Sequence, residues 1–305
     1  IGPDGQQVHL ELTDLPCGAG RHECPGRRHA LALAEGASRF HRLHEGPEPL
    51  VLPNAWDMAS ATLFAQEGFH AVGTTSLGIA AAAGVPDASG LARNATMTLA
   101  SSLVRLPVPI TVDIESGWGA DLVGLAAELA EIGVAGVNIE DGRGAALAPP
   151  REQEVMIQAL KRGSPNLFVN ARVDTYWLDT ETETTIERAR RYVDAGADGT
   201  FVPGLIDDAV IAALVAAVDA PLNVLACRDP QRLGELGVRR ISTGSSLYRS
   251  ALTAARSAAI AARQGPVPDD VLPYRRVDDL AGLFRWRQAG VSSPARRRRR
   301  RAPRW

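Results

Sequence analysis

The sequence predicts an α/β fold, a (β/α)8 TIM barrel followed by a C-terminal helical extension. Two recurring signals and a count carry that prediction. Four segments begin with proline and run into an apolar strand: "EPLVLPNAWD", "VPITVDIESG", "SPNLFVNARVD" and "APLNVLACRD". Their prolines, Pro49, Pro109, Pro165 and Pro221, lie 56 to 60 residues apart. Between them, "EGFHAVGTTS", "IGVAGVNIED", "AGADGTFVPG" and "LGVRRISTG" pass from Gly68, Gly133, Gly196 and Gly237 into a strand. Each glycine follows a helix-period pattern such as "DLVGLAAELAEI" or "TTIERARRYVDA", at the place where a helix end favours a residue free to take positive φ. Strands alternating with helices imply βαβ units on a parallel sheet. Eight such units in roughly 220 residues is the size of a closed barrel. The competing arrangement, a doubly wound open sheet, would carry G-x-G-x-x-G after its first strand, and that motif is not there.

Taken in order, the strands are centred on "LVLPN", "AVGTT", "ITVDIE", "GVNIED", "LFVNARVD", "GTFVPG", "LNVLA" and "RRISTG". All are short apolar runs bounded by Pro or Gly, as strands covered on both faces should be. The eighth is followed by the long Ala-rich helix "SSLYRSALTAARSAAIAAR". Around this barrel, assigned to residues 46–264, the sequence suggests a partly disordered leader at 1–45, a helical extension at 265–290 and an Arg-rich disordered tail at 291–305.

With 305 residues and 45% hydrophobic content the chain can bury a large core, and it contains no apolar run long enough to span a membrane. The opening residues lack a basic end followed by an apolar stretch, so they do not read as a secretory signal, and a cytoplasmic location is expected. Cys17, Cys24 and Cys227 are too scattered for a disulfide framework. Cys17 and Cys24 lie near His22 and His29 in no common zinc spacing. The formal charge of −2 hides Arg296 to Arg301 and Arg304 at the end of the chain. Such a run is ordinarily a solvated tail, and a nucleic-acid partner is not expected.

In barrels of this kind the active site lies at the C-terminal ends of the strands. Acidic residues fall there: Asp57 near Asn54 after strand 1, Asp87 in the loop after strand 2, Asp113 and Glu115 on strand 3, Glu140 and Asp141 on strand 4, and Asp174 beside Arg172 on strand 5. Residues i and i+2 of a strand share a face, which would bring Asp113 and Glu115 together. Each close carboxylate pair costs on the order of 3 kcal/mol at about 5 Å and an effective dielectric of about 20, and a cation is the natural remedy. All six histidines lie at position 70 or earlier, leaving oxygen ligands only, which suit Mg²⁺ or Mn²⁺ rather than zinc. The alternative is a structural network in which arginines neutralise these carboxylates. Arg172 is the candidate anion receptor, through its planar fork, or the partner of a neighbouring carboxylate. "TGSS" at 243–246 is either a phosphate cradle or a helix cap.

The ordered set "GFHAVGTTSLGIAAAAGVPD", "VDIESGWG", "NIEDG" and "NARVD" resembles the isocitrate lyase and phosphoenolpyruvate mutase superfamily, over about Leu50 to Arg263. The resemblance implies a Mg²⁺-dependent lyase acting on a small 2-oxo or 2-hydroxy carboxylic acid through an enolpyruvate-like intermediate. By carry-over, Asp113 ligates the metal and Asp87, Glu115 and Glu140 hold its waters. Thr75, Ser76 and Leu77 bind the substrate carboxylate, with Asn170 beside them, and Arg172 faces the oxyanion or leaving group. Arg172, Asp87 and Glu115 are the catalytic candidates. The resemblance also implies a homodimer or homotetramer in which the last helices exchange between subunits; their alternative is packing on their own barrel.

Two departures bear on the reaction. The family's lyases carry a K-[KR]-C-G-H loop after strand 4, where this chain has "GRGAALAPPREQE", a gating lid or a plain connection. Its mutases place a His near the end of strand 6, where this chain has "FVPG". Two alternatives therefore stand beside the lyase: a phosphonate mutase, or phosphonopyruvate or oxaloacetate-type hydrolase or decarboxylase, on the same scaffold, and a barrel that binds a ligand without turnover.

Overall fold

The computed structural model describes residues 35–226, 229–265 and 270–280. The three cysteines, most of the leader and the arginine tail lie outside the described residues. The first stave of the barrel is β1 (Leu50–Leu52) and β2 (Asn54–Ala55), split by Pro53. It is followed by α2 (Met58–Gln66), β3 (Val72–Thr74), α3 (Ser76–Ala83), α4 (Arg93–Leu103), β4 (Ile110–Asp113), α5 (Leu122–Ile132) and β5 (Gly136–Glu140). A small hairpin, β6 (Gly142–Arg143) and β7 (Ala146–Leu147), precedes α6 (Pro150–Gly163) and β8 (Phe168–Arg172). Then come α7 (Thr185–Asp194), β9 (Gly199–Phe201), α8 (Asp208–Ala217), β10 (Leu222–Leu225), α9 (Pro230–Glu235), β11 (Arg240–Ser242) and α10 (Ser246–Ala261). The helical residues 35–42 precede them all and are α1.

The main sheet is ordered β1-β11-β10-β9-β8-β5-β4-β3-β2, and every pairing in it is parallel. Its two ends are halves of one stave, so the ring closes and the open-sheet alternative falls away. Proline makes the changeover: Leu52 O accepts from Thr243 N–H at 3.1 Å, and Pro53 O accepts from Gly73 N–H at 2.9 Å. A residue with no N–H sits where the strand switches partners. The four expected helix-ending glycines all have positive φ, from 90° at Gly68 to 107° at Gly196.

Two apolar layers hold the ring. Outward-facing strand residues such as Val112, Val137, Ile139 and Val169 pack under Leu125, Leu129 and Ile157 of the helices. The bottom is closed from inside by Phe40 of α1 with Leu50, Leu52 and Phe168. Phe40 meets Phe168 edge-on at 5.3 Å, and His44 stacks on Phe168 at 4.3 Å. A Cβ at Gly136 would stand 2.9 Å from both Phe168 O and Phe40 Cε1, so glycine there is what admits the plug. Residues 35–45, within the stretch assigned to the leader, thus complete the barrel floor.

Of the extension, the described helical residues 274–280 lie against the barrel, with Arg276 Nη2 3.5 Å from Glu67 Oε1 and Leu280 buried. In contrast, α10 buries none of its residues. Among the described residues no helix is long and apolar enough to cross a membrane.

Candidate active site

A cavity of about 320 Å³ opens at the C-terminal ends of the staves, lined by Asp87, Asp113, Glu140, Arg172, Asp174 and Trp177 among others. Arg172, ending β8, is its electrostatic centre. Its Nη1 lies 2.8 Å from Glu140 Oε2, and its Nε donates to Asp174 Oδ1 at 2.6 Å. Parallel register sets Glu140 beside Arg172 and Asp113 beside Asn138, so these side chains share the inner face. Trp177 and Phe201 flank the guanidinium at 5.7 and 6.0 Å, restricting its rotation and its hydration.

One guanidinium does not neutralise this acid. Burial pushes the Glu140 carboxyl up to about 8; Arg172 opposes the shift, but Asp113, Asp174 and Asp87 add to it. The short ion pair would by itself hold Glu140 down, and the raised value means that desolvation and neighbouring negative charge outweigh it. Asp113 is also raised, first by burial and then, against the pull of Arg172, by repulsion from Asp87. Asp174 is raised by burial, with Arg172 opposing. Arg240, under the cavity, is pulled by burial down to about 9 and stays cationic at neutral pH.

The sequence candidates separate into three groups. Thr75, Ser76, Leu77, Asp87, Asp113, Glu140 and Arg172 all line the cavity. Thr75 caps α3, its Oγ1 accepting from Gly78 N–H at 3.4 Å, and the first-turn N–H groups of Ser76 and Leu77 have no acceptor within the helix. Glu115 and Asn170 stand behind the lining. The strand ends at Asp113, and Glu115 sits past it at φ 50°, buried, with Oε2 accepting from Gly90 N–H at 2.9 Å. The expected sharing of a strand face by Asp113 and Glu115 therefore does not occur; Glu115 instead anchors the loop that carries Asp87. Asn170 is buried and gives its Nδ2 hydrogen to Asn138 Oδ1 at 2.9 Å, and it is Asn138 that reaches the cavity. Period-two alternation back from Glu140 marks Asn138 in the sequence.

Asp57 and Asp141 belong to the frame. Asp57 caps α2 through Ser60 N–H at 2.7 Å. Asp141 faces outward and is buried, accepting from Asp174 N–H at 2.8 Å, Tyr192 O–H at 2.7 Å and Arg188 Nη1 at 3.3 Å. At the other rim, Ser246 Oγ returns to Thr243 O at 2.7 Å and Ser245 caps nothing with its side chain, so "TGSS" is not a side-chain helix cap. Arg249 of α10 reaches the mouth from there. The "GRGAALAPP" segment is the β6–β7 hairpin, tied down by Ala148 N–H to Asp141 O at 2.8 Å and by Arg188 Nη1 to Ala148 O at 2.9 Å.

Among the described residues no three His, Cys, Asp or Glu side chains already form a cage for an ion. The donor set nonetheless fits a hard divalent cation that keeps most of its waters. It is all oxygen, it is short of positive charge, and Asp113 has no ion-pair partner among the described residues, with Arg172 held by Glu140 and Asp174.

A family model described as phosphoenolpyruvate phosphomutase matches residues 40–263. "Uncharacterized protein Rv1998c" of Mycobacterium tuberculosis (strain ATCC 25618 / H37Rv) is 44% identical over 239 residues, 77% of this chain and 93% of its own. The 2-methylisocitrate lyase of Bacillus subtilis (strain 168) is 33% identical over 183 residues, 56% of this chain and 60% of its own. A solved Burkholderia cenocepacia J2315 chain, provisionally described as a lyase/mutase, superposes with TM-score 0.74 at 33% identity, over 87% of this chain and 99% of its own. Other relatives are named oxaloacetate decarboxylase and phosphoenolpyruvate phosphomutase. Matched along its whole barrel, the chain belongs to the phosphoenolpyruvate phosphomutase family, within the superfamily of lyases and mutases that also holds the isocitrate lyases.

Proposed function

We propose that this enzyme is a Mg²⁺-dependent lyase of a small 2-oxo or 2-hydroxy carboxylic acid, working through an enolpyruvate-like intermediate. The observation that carries the reading is the surplus of negative charge at the strand ends, where Arg172 is engaged by Glu140 and Asp174 and Asp113 has no ion-pair partner among the described residues. Asp113 would hold the ion, with Asp87, Glu115 and Glu140 toward its waters; when bound, the ion supplies Lewis-acid polarisation of the substrate's keto oxygen. The chain's own residues do the rest. The Ser76 and Leu77 N–H groups, at the positive end of α3, take the substrate carboxylate. Heterolysis of the bond between C3 and its departing substituent leaves the electron pair on an enolate and releases the substituent as carbon dioxide or, with loss of its hydroxyl proton, as a carbonyl compound. Arg172, prealigned by Asp174, steadies the developing negative charge until C3 is protonated. Trp177 and the hairpin keep water from the enolate.

One observation favours a second reading. Arg249 lines the mouth and its side chain has no ion-pair partner among the described residues. A further cation near Arg172 suits a substrate with a second anionic group, as in a phosphonopyruvate or oxaloacetate-type hydrolase, decarboxylase or mutase. Both readings meet one experiment: oxaloacetate, methylisocitrate, dimethylmalate and phosphonopyruvate assayed for pyruvate-like products with Mg²⁺ and with EDTA. The lyase reading expects Mg²⁺-dependent product from an oxo or hydroxy acid, abolished in Asp113→Ala at an unchanged melting temperature. Full activity in that variant, or in EDTA, rejects it. The same reading makes the protein a homodimer or homotetramer joined through α10, on which Leu252 and Ile260 are exposed; a monomer in sedimentation would reject that part.

A further inference from the structure

Directly beneath the cavity lies a layer of polar side chains that the reading above leaves unused. Arg240 points inward from β11 and is 1% exposed. Its Nε donates to Ser242 Oγ at 3.1 Å and its Nη2 to Asn138 Oδ1 at 3.2 Å, while Nη1 has no partner. A guanidinium has five N–H donors and no acceptor, so whatever faces it must offer an oxygen. Asn138 is thereby forced to turn its Oδ1 down toward Arg240, where the same oxygen also accepts from Asn170 Nδ2 at 2.9 Å. The amide has one oxygen and one nitrogen, and with the oxygen committed the nitrogen is aimed the other way. Asn138 lines the cavity beside Asp113, and its Nδ2 has no partner among the described residues and is not sealed in by them.

We infer that Arg240 is a positioning residue that locks the Asn138 amide with its Nδ2 hydrogens toward the cavity, making Asn138 a binding residue for an acceptor oxygen of the substrate. The inference rests on the reading of this cavity as a site for a small oxo or hydroxy acid, and it sharpens the class. A carboxylate, keto or hydroxyl oxygen is welcome beside Asp113, and an ammonium group in that place meets a donor.

The test uses the full chain with Mg²⁺ and oxalate as the probe, followed by calorimetry, alongside turnover of the best substrate in the panel. Asn138→Ala, with its melting curve recorded, should weaken oxalate about tenfold, the scale of one hydrogen bond to a charged group, and raise KM by more than it lowers kcat. Arg240→Gln, which can accept as well as donate and so frees the amide to turn over, should weaken oxalate in the same direction. Arg240→Lys, again a donor only, should restore most of that loss. A folded Asn138→Ala that binds oxalate within about twofold of the unaltered protein overturns the inference, as does Arg240→Lys faring no better than Arg240→Gln. If the unaltered protein neither binds oxalate nor turns over any of the panel, the functional reading fails and this inference falls with it.

Discussion

Replacing Asp141 by alanine should unfold the barrel more readily although it leaves every cavity-lining side chain in the sequence unchanged. Its carboxylate is fully buried and serves three donors: the Asp174 N–H, the Tyr192 hydroxyl and Arg188 Nη1. Breaking a buried ion pair from one side ordinarily costs about 3–5 kcal/mol, because the surviving charge is stranded. Here the lower end applies, since Arg188 Nη2 keeps Glu181 Oε2 at 2.7 Å and Nη1 keeps Ala148 O at 2.9 Å. About 3 kcal/mol corresponds to a fall of roughly 5 °C in Tm for a chain of this size. Urea denaturation and scanning calorimetry of Asp141→Ala, Arg188→Met and the double variant measure it. Most of either single loss is the stranded partner, so the double variant should cost less than the two singles together, by about 1–2 kcal/mol. A loss under about 1 kcal/mol in Asp141→Ala, or strict additivity, would refute the argument that this acid is a frame element holding the Asp174 loop and the hairpin to α7.

Three further outcomes follow from the geometry. A Cβ at Gly142 would stand 2.5 Å from Asp174 Oδ2, so Gly142→Ala should push Asp174 off Arg172 and lower kcat about 100-fold, the scale of a 1 Å misplacement, with little change in Tm; steady-state kinetics showing unchanged kcat would remove Asp174 from the alignment of Arg172. Phe40→Ala should lose roughly 3–4 kcal/mol in urea denaturation, because Phe40 is 0% exposed inside the barrel floor; a loss below about 1 kcal/mol would detach α1 from the fold. Burial, aided by the charge of Arg240, holds His44 neutral in the fold, pushed down to about 3 from 6.5. The unfolded chain therefore takes up a proton that the folded chain refuses, and this contribution to stability is whole above about pH 6.5 and lost progressively as the pH falls toward 3. At pH 4.5 the loss is about 3 kcal/mol, and His44→Phe, which can still stack on Phe168, should show correspondingly shallower acid destabilisation; identical pH profiles would sink the account.

What could be read from the chain, and what could not, divides along a physical line. Pro49, Pro109, Pro165 and Pro221 open strands, and Gly68, Gly133, Gly196 and Gly237 close helices, because φ restriction and φ freedom are properties of single residues. Counting them was enough for the barrel, and barrel geometry then put the acids at one rim. Alternation within a strand separates Glu140, inward, from Asp141, outward, although the acidic run "NIED" by itself puts both at the rim. The reading failed where a strand stopped. Nothing local in "VDIESG" announces that the regular strand ends at Asp113, with Ile114 N–H still bonded to Asn138 O and Glu140 N–H to Glu115 O, and that Glu115 takes φ 50°. Two acids expected on one strand face thus become a cavity wall and a loop anchor that still repel each other. It was silent where partners come from opposite sides of the ring. Asn138 and Arg240 are 102 positions apart, and "RRISTG" does not say which of its two arginines enters the barrel. That choice follows from register: β1 sets Leu50, part of the floor, beside Arg240 rather than Arg239. A cation so placed can only donate, and this one-sidedness turns a buried asparagine into a group with a fixed direction. The polarity of the cavity floor is therefore decided by a residue that never touches the cavity, and no pattern confined to one strand could have shown it.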